Sequence, residues 1–308
     1  IILVLLLAAY AWAILIFRRR QDKGLFSILA LALLLCGLLA VIPPLVSKDV
    51  FSNIFYAKIA AHYHDNPYIV TPQRFAADQL MIYVSLNWKN TAIVYGPVHT
   101  YFSMFLSLVA GQGITSNIIV FKGAMALFHI ANILIVWFML GFLAPRRQRF
   151  GTMIYAWNPI ALTIGVGGGH NDVMMMTLVL LALYLLVKGK KWPGFVVLCL
   201  SVLVKYITVI LLVALVIYLL SRREGKMERI RDLSLYAAVF LLIAVLLFLP
   251  FWAGTRTFSS TLRNLQLNNF SSIGGLLSFA FASLFKYLFF LPASVAETLG
   301  SVLSKLLL

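Results

Sequence analysis

Six consecutive residues, Gly167-Gly168-Gly169-His170-Asn171-Asp172, separate two strongly apolar runs. An imidazole, an amide and a carboxylate at such a junction must face water or protein, because hydrocarbon offers them no partner. The glycines let backbone N–H groups come close to a bound group; the plainer alternative is a tight turn between two helices. Asp49, in Ser47-Lys48-Asp49-Val50, follows another apolar run. On position alone it could simply solvate a helix end, with Lys48 as its partner. Lys205 interrupts Val202-Leu203-Val204-Lys205-Tyr206-Ile207, either snorkelling to water or offering a cation to an anionic group such as a lipid phosphate. Arg256 and Arg263, farther on, could join it there. His62-Tyr63-His64-Asp65-Asn66-Pro67-Tyr68 places aromatic rings beside acid and amide groups. Flat faces covering C–H surface, with polar groups taking hydroxyls, suit a sugar. The His-x-His spacing could instead ligate a metal, although a solvated loop is commoner. Tyr95-Gly96-Pro97 opens a further apolar segment, with Pro fixing φ and Gly allowing a sharp bend.

The elements that must position these groups are apolar. Of 308 residues, 62% are hydrophobic and 11% charged, well outside the balance of soluble domains. Successive long apolar runs with short basic clusters between them predict a polytopic, all-α transmembrane bundle. The net charge of +16 sits in those clusters, which fits anchoring against anionic lipid and argues against a nucleic-acid partner. Cys36 and Cys199 lie inside apolar runs and read as packing residues. Spans are expected at about 1–17, 25–46, 117–143, 152–166, 173–187, 192–204, 208–220, 233–251 and 273–290, with an ambiguous tail. The stretch 47–97 reads as a water-soluble outer loop, and 98–110 as a short re-entrant or juxtamembrane helix. The basic junctions 18–23, 146–149, 188–191 and 222–231 hold most of the 25 Lys and Arg residues. An even number of expected spans separates each from the next, provided 98–110 does not cross. All four can then be cytoplasmic, and every candidate site residue faces the other side. The chain opens inside an apolar run without Met, so further sequence is expected beyond its ends, around a single membrane domain spanning 1–308.

The ordered set of an acid after an early span, Asn66-Pro67-Tyr68, Tyr95-Gly96-Pro97, Trp157-Asn158-Pro159, Gly168-Gly169-His170-Asn171-Asp172, Val204-Lys205-Tyr206 and Trp252-Ala253-Gly254 with Thr257-Phe258 resembles the GT-C superfamily of integral-membrane glycosyltransferases. It is most similar to the polyprenol-phosphate-mannose-dependent α-mannosyltransferases of bacterial envelopes. The resemblance covers roughly 47–272. It implies a multi-pass protein of the cell membrane with its active site on the extracellular or periplasmic face. The donor would be a polyprenyl-phosphate sugar, and the acceptor an envelope glycan or glycolipid. No cofactor is implied, and a metal is not favoured. Asp49 corresponds to the catalytic base, His170 and Lys205 to donor and phosphate contacts, with Arg256 and Arg263 as further candidates. Asp65, Asn66, Tyr68, Tyr95, Asn171 and Asp172 are the candidates for sugar or acceptor binding. The chain departs from the pattern at His64, where such enzymes often carry Gly, and in having two expected spans before the acid.

These residue types fit one in-line displacement at an anomeric carbon. Asp49 would take the proton of the attacking hydroxyl. Lys205, His170 and an arginine would stabilise the departing prenyl phosphate. A single displacement would invert the centre. A secondary transporter or lipid flippase is the alternative, using Asp172 and Lys205 as a coupling pair; it predicts charges near the midplane and an inverted repeat. A non-catalytic membrane scaffold leaves the acid and lysine grouping without a purpose.

Overall fold

The computed structural model describes residues 2–19, 24–44 and 47–266, together with four isolated positions between 292 and 299. The span expected at 273–290 and the tail after it lie outside the described residues. Two compact units divide the chain, 1–257 and 258–308. Among the described residues the protein is helical and has no strand; the sole extended pairing is an isolated bridge between Ala253 and Thr255.

In the first unit the order is α1 (Ile2–Arg19), α2 (Leu25–Val41), α3 (Asp49–Ala61), the single turn α4 (Leu86–Lys89), α5 (Pro97–Ala110) and α6 (Ile114–Leu143). Then come α7 (Gln148–Ala156), α8 (Asp172–Val187), α9 (Lys191–Val202), α10 (Val209–Ser221) and α11 (Lys226–Phe248). α12 (Ser259–Gln266) belongs to the second unit. By length and composition, α6 and the stretch Lys226–Phe251 are the two described helices able to cross a membrane. The other apolar helices are shorter. α9 and α10 have 12 and 13 residues. At a rise of about 1.5 Å per residue each extends only about 18–20 Å, short of a hydrocarbon core of about 30 Å.

Three differences from the sequence expectation matter for the site. First, α2 stops at Val41, ahead of Pro43-Pro44, whose rings supply no N–H to continue the ladder. The Ile42 carbonyl left free there accepts a hydrogen bond from the Nζ of Lys122, a fully buried lysine of α6. Second, the stretch 47–97 is not an extended solvated loop. Every residue of α3 from Val50 to Ala61 is buried, and α3 packs against α5 and α6. Val50, Ile54, Phe55 and Ile59 have no exposure at all, and each such side chain contributes roughly 1.5–3 kcal/mol on burial. Third, the run 152–166 is broken. α7 ends at Ala156, and Asn158 Oδ1 then accepts from the N–H groups of Ile160 (2.9 Å) and Ala161 (3.2 Å). That cap, with Pro159, restarts the chain as a wide π-helical turn over Ala161–Val166.

Two packing centres support this frame. One joins α8, α9, α10 and α11 through Val179, Ala182, Phe195, Leu198, Leu215 and Tyr236, with Cys199 buried among them. The other sets Phe17 of α1 and Ile28 and Ala32 of α2 against Ile133, Met153 and Ala156 of α6 and α7.

Candidate active site

The π-helical turn delivers the chain to Gly167-Gly168-Gly169, and Gly169 has φ +63°. A side chain there would strain the backbone. It would also collide with α3, because a Cβ on Gly169 would lie 2.7 Å from Cγ2 of Val50. The glycine therefore lets the loop rest directly on the first turn of α3, next to Asp49. His170 follows, then Asn171, whose carbonyl accepts from the Met175 N–H (3.0 Å) as α8 begins at Asp172.

The result is a continuous chain of polar contacts. Asp49 Oδ1 accepts a hydrogen bond from the Trp88 indole N–H at 3.3 Å. Asp49 Oδ2 lies 3.6 Å from His170 Nε2, a ring nitrogen that is buried and has no hydrogen-bond partner. His170 Nδ1 lies 3.8 Å from Asp172 Oδ2, and Lys205 Nζ donates to Asp172 Oδ1 at 2.7 Å. The Lys205 ammonium also sits 5.8 Å from the centre of the Tyr95 ring. Asp49 and Lys205 side chains are each 31% exposed and that of Asp172 is 44% exposed, so the chain can be reached from solvent. Chemically, the cluster offers a carboxylate with one oxygen facing an imidazole, and a fixed ammonium. That ammonium has three protons, of which Asp172 takes one.

The side opposite the glycine loop is held just as tightly. Gly96 N–H donates to the Val204 carbonyl (3.1 Å) and Val98 N–H to the Leu203 carbonyl (3.0 Å). A Cβ on Gly96 would run into the Leu203 backbone, so no other residue fits that approach. Tyr95 and Lys205, one residue outside each end of this junction, are thereby brought face to face. Burial raises the Tyr95 phenol above its ordinary value, and the charges of Asp49 and Asp172 raise it further, so it remains a neutral O–H.

The other sequence candidates are placed differently. Asp65 pairs with Arg74 at 3.6 Å on an exposed stretch. Asn66 holds a turn: its Nδ2 donates to the Phe251 carbonyl (2.7 Å) and its Oδ1 accepts from the Tyr68 N–H (3.0 Å). Tyr68 is 1% exposed and its hydroxyl pairs with Thr100 Oγ1 at 2.9 Å. These two build the wall rather than the polar chain. Asn171 is 2% exposed and its side-chain nitrogen has no partner. Arg256 is exposed on the turn after Gly254, and Arg263 belongs to α12 in the second unit.

Sequence reasoning missed several groups. Trp88 carries no spacing signal, being one aromatic in a polar stretch. Asp78 is the hub of the outer segment: it is paired with Lys58, accepts from the Tyr63 hydroxyl (2.5 Å) and takes the Leu80 N–H (2.7 Å). Burial alone would raise its carboxyl, but those hydrogen bonds and the Lys58 charge win and hold it below its ordinary value. Burial, together with the contact to Asp78, raises the Tyr63 phenol to about 12.

The chain belongs to the family described as alpha-(1->6)-mannopyranosyltransferase, N-terminal domain, whose model matches residues 1–221. Asp49, Trp88, Tyr95, His170, Asp172 and Lys205 all fall within that match; Arg256 and Arg263 fall outside it. The mannosyltransferase kinship read from the motifs is thus established. The chain is 30% identical over 219 residues to Alpha-(1->6)-mannopyranosyltransferase A of Mycobacterium tuberculosis, covering 67% of this chain and 41% of that one. It is 26% identical over 172 residues to the Alpha-(1->6)-mannopyranosyltransferase A of Corynebacterium glutamicum, covering 53% of this chain and 32% of the relative. It therefore spans about a third to two-fifths of the length of these curated relatives. No solved structure matches it.

Proposed function

We propose that the protein is an integral-membrane glycosyltransferase that moves mannose from a polyprenyl-phosphate donor to an envelope glycan or glycolipid. The observation carrying this reading is that Asp49, His170, Asp172 and Lys205, from three distant stretches of sequence, form one accessible chain of contacts. The kinship with mannopyranosyltransferases supports mannose as the sugar. The basic junctions and apolar helices support a multi-pass protein of the cell membrane with this site on the non-cytoplasmic face.

In the reaction, an acceptor hydroxyl approaches Asp49 and attacks the anomeric carbon of the donor. The O–H proton passes to Asp49 Oδ2 as the new C–O bond forms. The bond from the anomeric carbon to the phosphate oxygen breaks, and the prenyl phosphate leaves with its electron pair. Lys205 stabilises that developing charge with the protons Asp172 does not use, while Asp172 keeps the ammonium in place. One displacement inverts the anomeric centre. Tyr95 offers a neutral ring and hydroxyl to the sugar.

The test is Asp49→Asn in the full protein, purified in detergent and supplied with a short-chain prenyl-phosphate mannose. Loss of a general base lowers turnover by about 10²–10⁴, while donor affinity, set by Lys205, stays unchanged. Turnover within about threefold of wild type, a change far smaller than the loss expected for a missing base, would remove Asp49 from the mechanism.

A further inference from the structure

We infer that Trp88 is a positioning residue for Asp49, an assignment that rests on Asp49 being the base. The indole N–H is a donor only, so its 3.3 Å bond occupies Asp49 Oδ1 and turns Oδ2 toward His170 and the reaction. Without it, a carboxylate on the first turn of a helix has free rotation about its last bond. It can then present either oxygen, or swing away from the acceptor.

The segment carrying Trp88 is built to hold that donor still. In the turn α4, the Trp88 N–H bonds to the Ser85 carbonyl (2.9 Å), and the Thr91 hydroxyl bonds back to the Asn87 carbonyl (2.9 Å). Thr91 is itself tied to α3, because the buried Tyr56 hydroxyl donates to its carbonyl at 2.9 Å. Asp49 and Tyr56 are two turns apart on one face of α3, about 10.5 Å along its axis. Trp88 and Thr91 are held together in a turn, where the Thr91 N–H donates to the Trp88 carbonyl at 3.3 Å. The turn is thus tied to that face of α3 at two points, through Asp49 and through Tyr56. Tyr83 adds a third tie by stacking on Phe51 with ring centres 5.1 Å apart. An aromatic held by three ties, with its single polar atom on the carboxylate of the site, is more than packing requires.

The experiment is a double-mutant cycle in the full protein with the prenyl-phosphate mannose assay. Trp88→Phe keeps the ring and removes the donor. Turnover should fall on the order of tenfold, as for a lost hydrogen bond to a charged group, with KM for the donor unchanged. In the Asp49→Asn background the same change should add no further loss, because there is no base left to orient. Tyr56→Phe keeps the Trp88 donor and removes one tie of its segment, and should lower turnover by less than Trp88→Phe does. The inference is overturned if Trp88→Phe lowers the rate equally in both backgrounds, if it has no effect, or if Tyr56→Phe lowers turnover as much. If Asp49→Asn alone turns over like wild type, the base assignment fails and Trp88 falls with it. If Asp49→Asn is impaired and Trp88→Phe multiplies onto it in full, the base stands and the positioning role alone is lost.

Discussion

Replacing Gly169 by alanine tests whether the glycine loop sets the distance between Asp49 and His170. Two effects add. A non-glycine residue at φ +63° costs roughly 1–2 kcal/mol in backbone strain. The new Cβ would also lie 2.7 Å from Cγ2 and 3.1 Å from Cβ of Val50, where carbon atoms want about 3.5–4.0 Å. Val50 is fully buried on the first turn of α3 and cannot turn away, so the loop must lift by about 1 Å. His170 is the next residue, and its 3.6 Å approach to Asp49 opens by a comparable amount. A misplacement of about 1 Å in a catalytic constellation lowers turnover on the order of a hundredfold. Gly189→Ala is the control, since Gly189 has φ +76° and an added Cβ there would meet nothing within 4 Å. Gly189→Ala should lose only the thermal stability that backbone strain costs, Gly169→Ala more, and Gly169→Ala alone should lose mannosyl transfer. Equal turnover in the two variants would refute the idea that loop contact with α3 sets the site.

Three further outcomes are expected. Lys205→Met should weaken donor binding by about ten- to a hundredfold, as for a lost charge-assisted bond, and Lys205→Arg should recover part of it; unchanged donor affinity in the Met variant would leave Lys205 as a partner of Asp172 alone. Asp78→Asn should lower the unfolding midpoint, because breaking a buried pair costs about 3–5 kcal/mol. Since the folded Asp78 carboxyl titrates below the unfolded one, its contribution is complete above about pH 4 and is lost as pH falls through the lower folded value. The gap in midpoint between wild type and Asp78→Asn should therefore narrow in acid, and a gap independent of pH would contradict the assignment. Single cysteines at 65 and 256 should react with an impermeant reagent from outside, while those at 147, 190 and 226 stay protected; labelling of 65 and 190 from the same side would break the topology.

The polar chain was legible in the sequence because ionisable groups beside apolar runs have few places to go. Asp49, His170, Asp172 and Lys205 were each singled out by that logic, and the structure brings them together. Buried α3 was not legible. Its Ser52, Asn53 and Lys58 look like surface residues, and what permits Lys58 to be buried is Asp78, twenty positions later and outside any local pattern. The break after α7 is written in Trp157-Asn158-Pro159, although the apolar composition continues on both sides of it. An Asn that caps and a Pro without an N–H outweigh the mostly apolar run on the far side. Asn66 and Tyr68 have side chains suited to a sugar, yet suitability does not reveal that Phe251 and Thr100 already engage them.

Two motifs that look independent along the chain turn out to be a single device. Tyr95-Gly96-Pro97 and Val204-Lys205-Tyr206 meet backbone to backbone, through Gly96 to Val204 and Val98 to Leu203. Hydrogen bonds between main-chain atoms at this range leave little slack, and the missing Cβ of Gly96 removes the steric gap that would otherwise supply some. Lys205 is thus carried by a turn whose position is dictated by the start of α5, and α5 packs on α3, whose first residue is Asp49. On the other flank, Gly169 rests on Val50 of the same helix, beside the aliphatic stem of Lys122, whose amine holds the end of α2. Both halves of the polar chain are therefore referenced to the first turn of α3. That explains how a carboxylate and an ammonium 156 positions apart in sequence keep a fixed separation, although Lys205 sits on a turn and not in a helix.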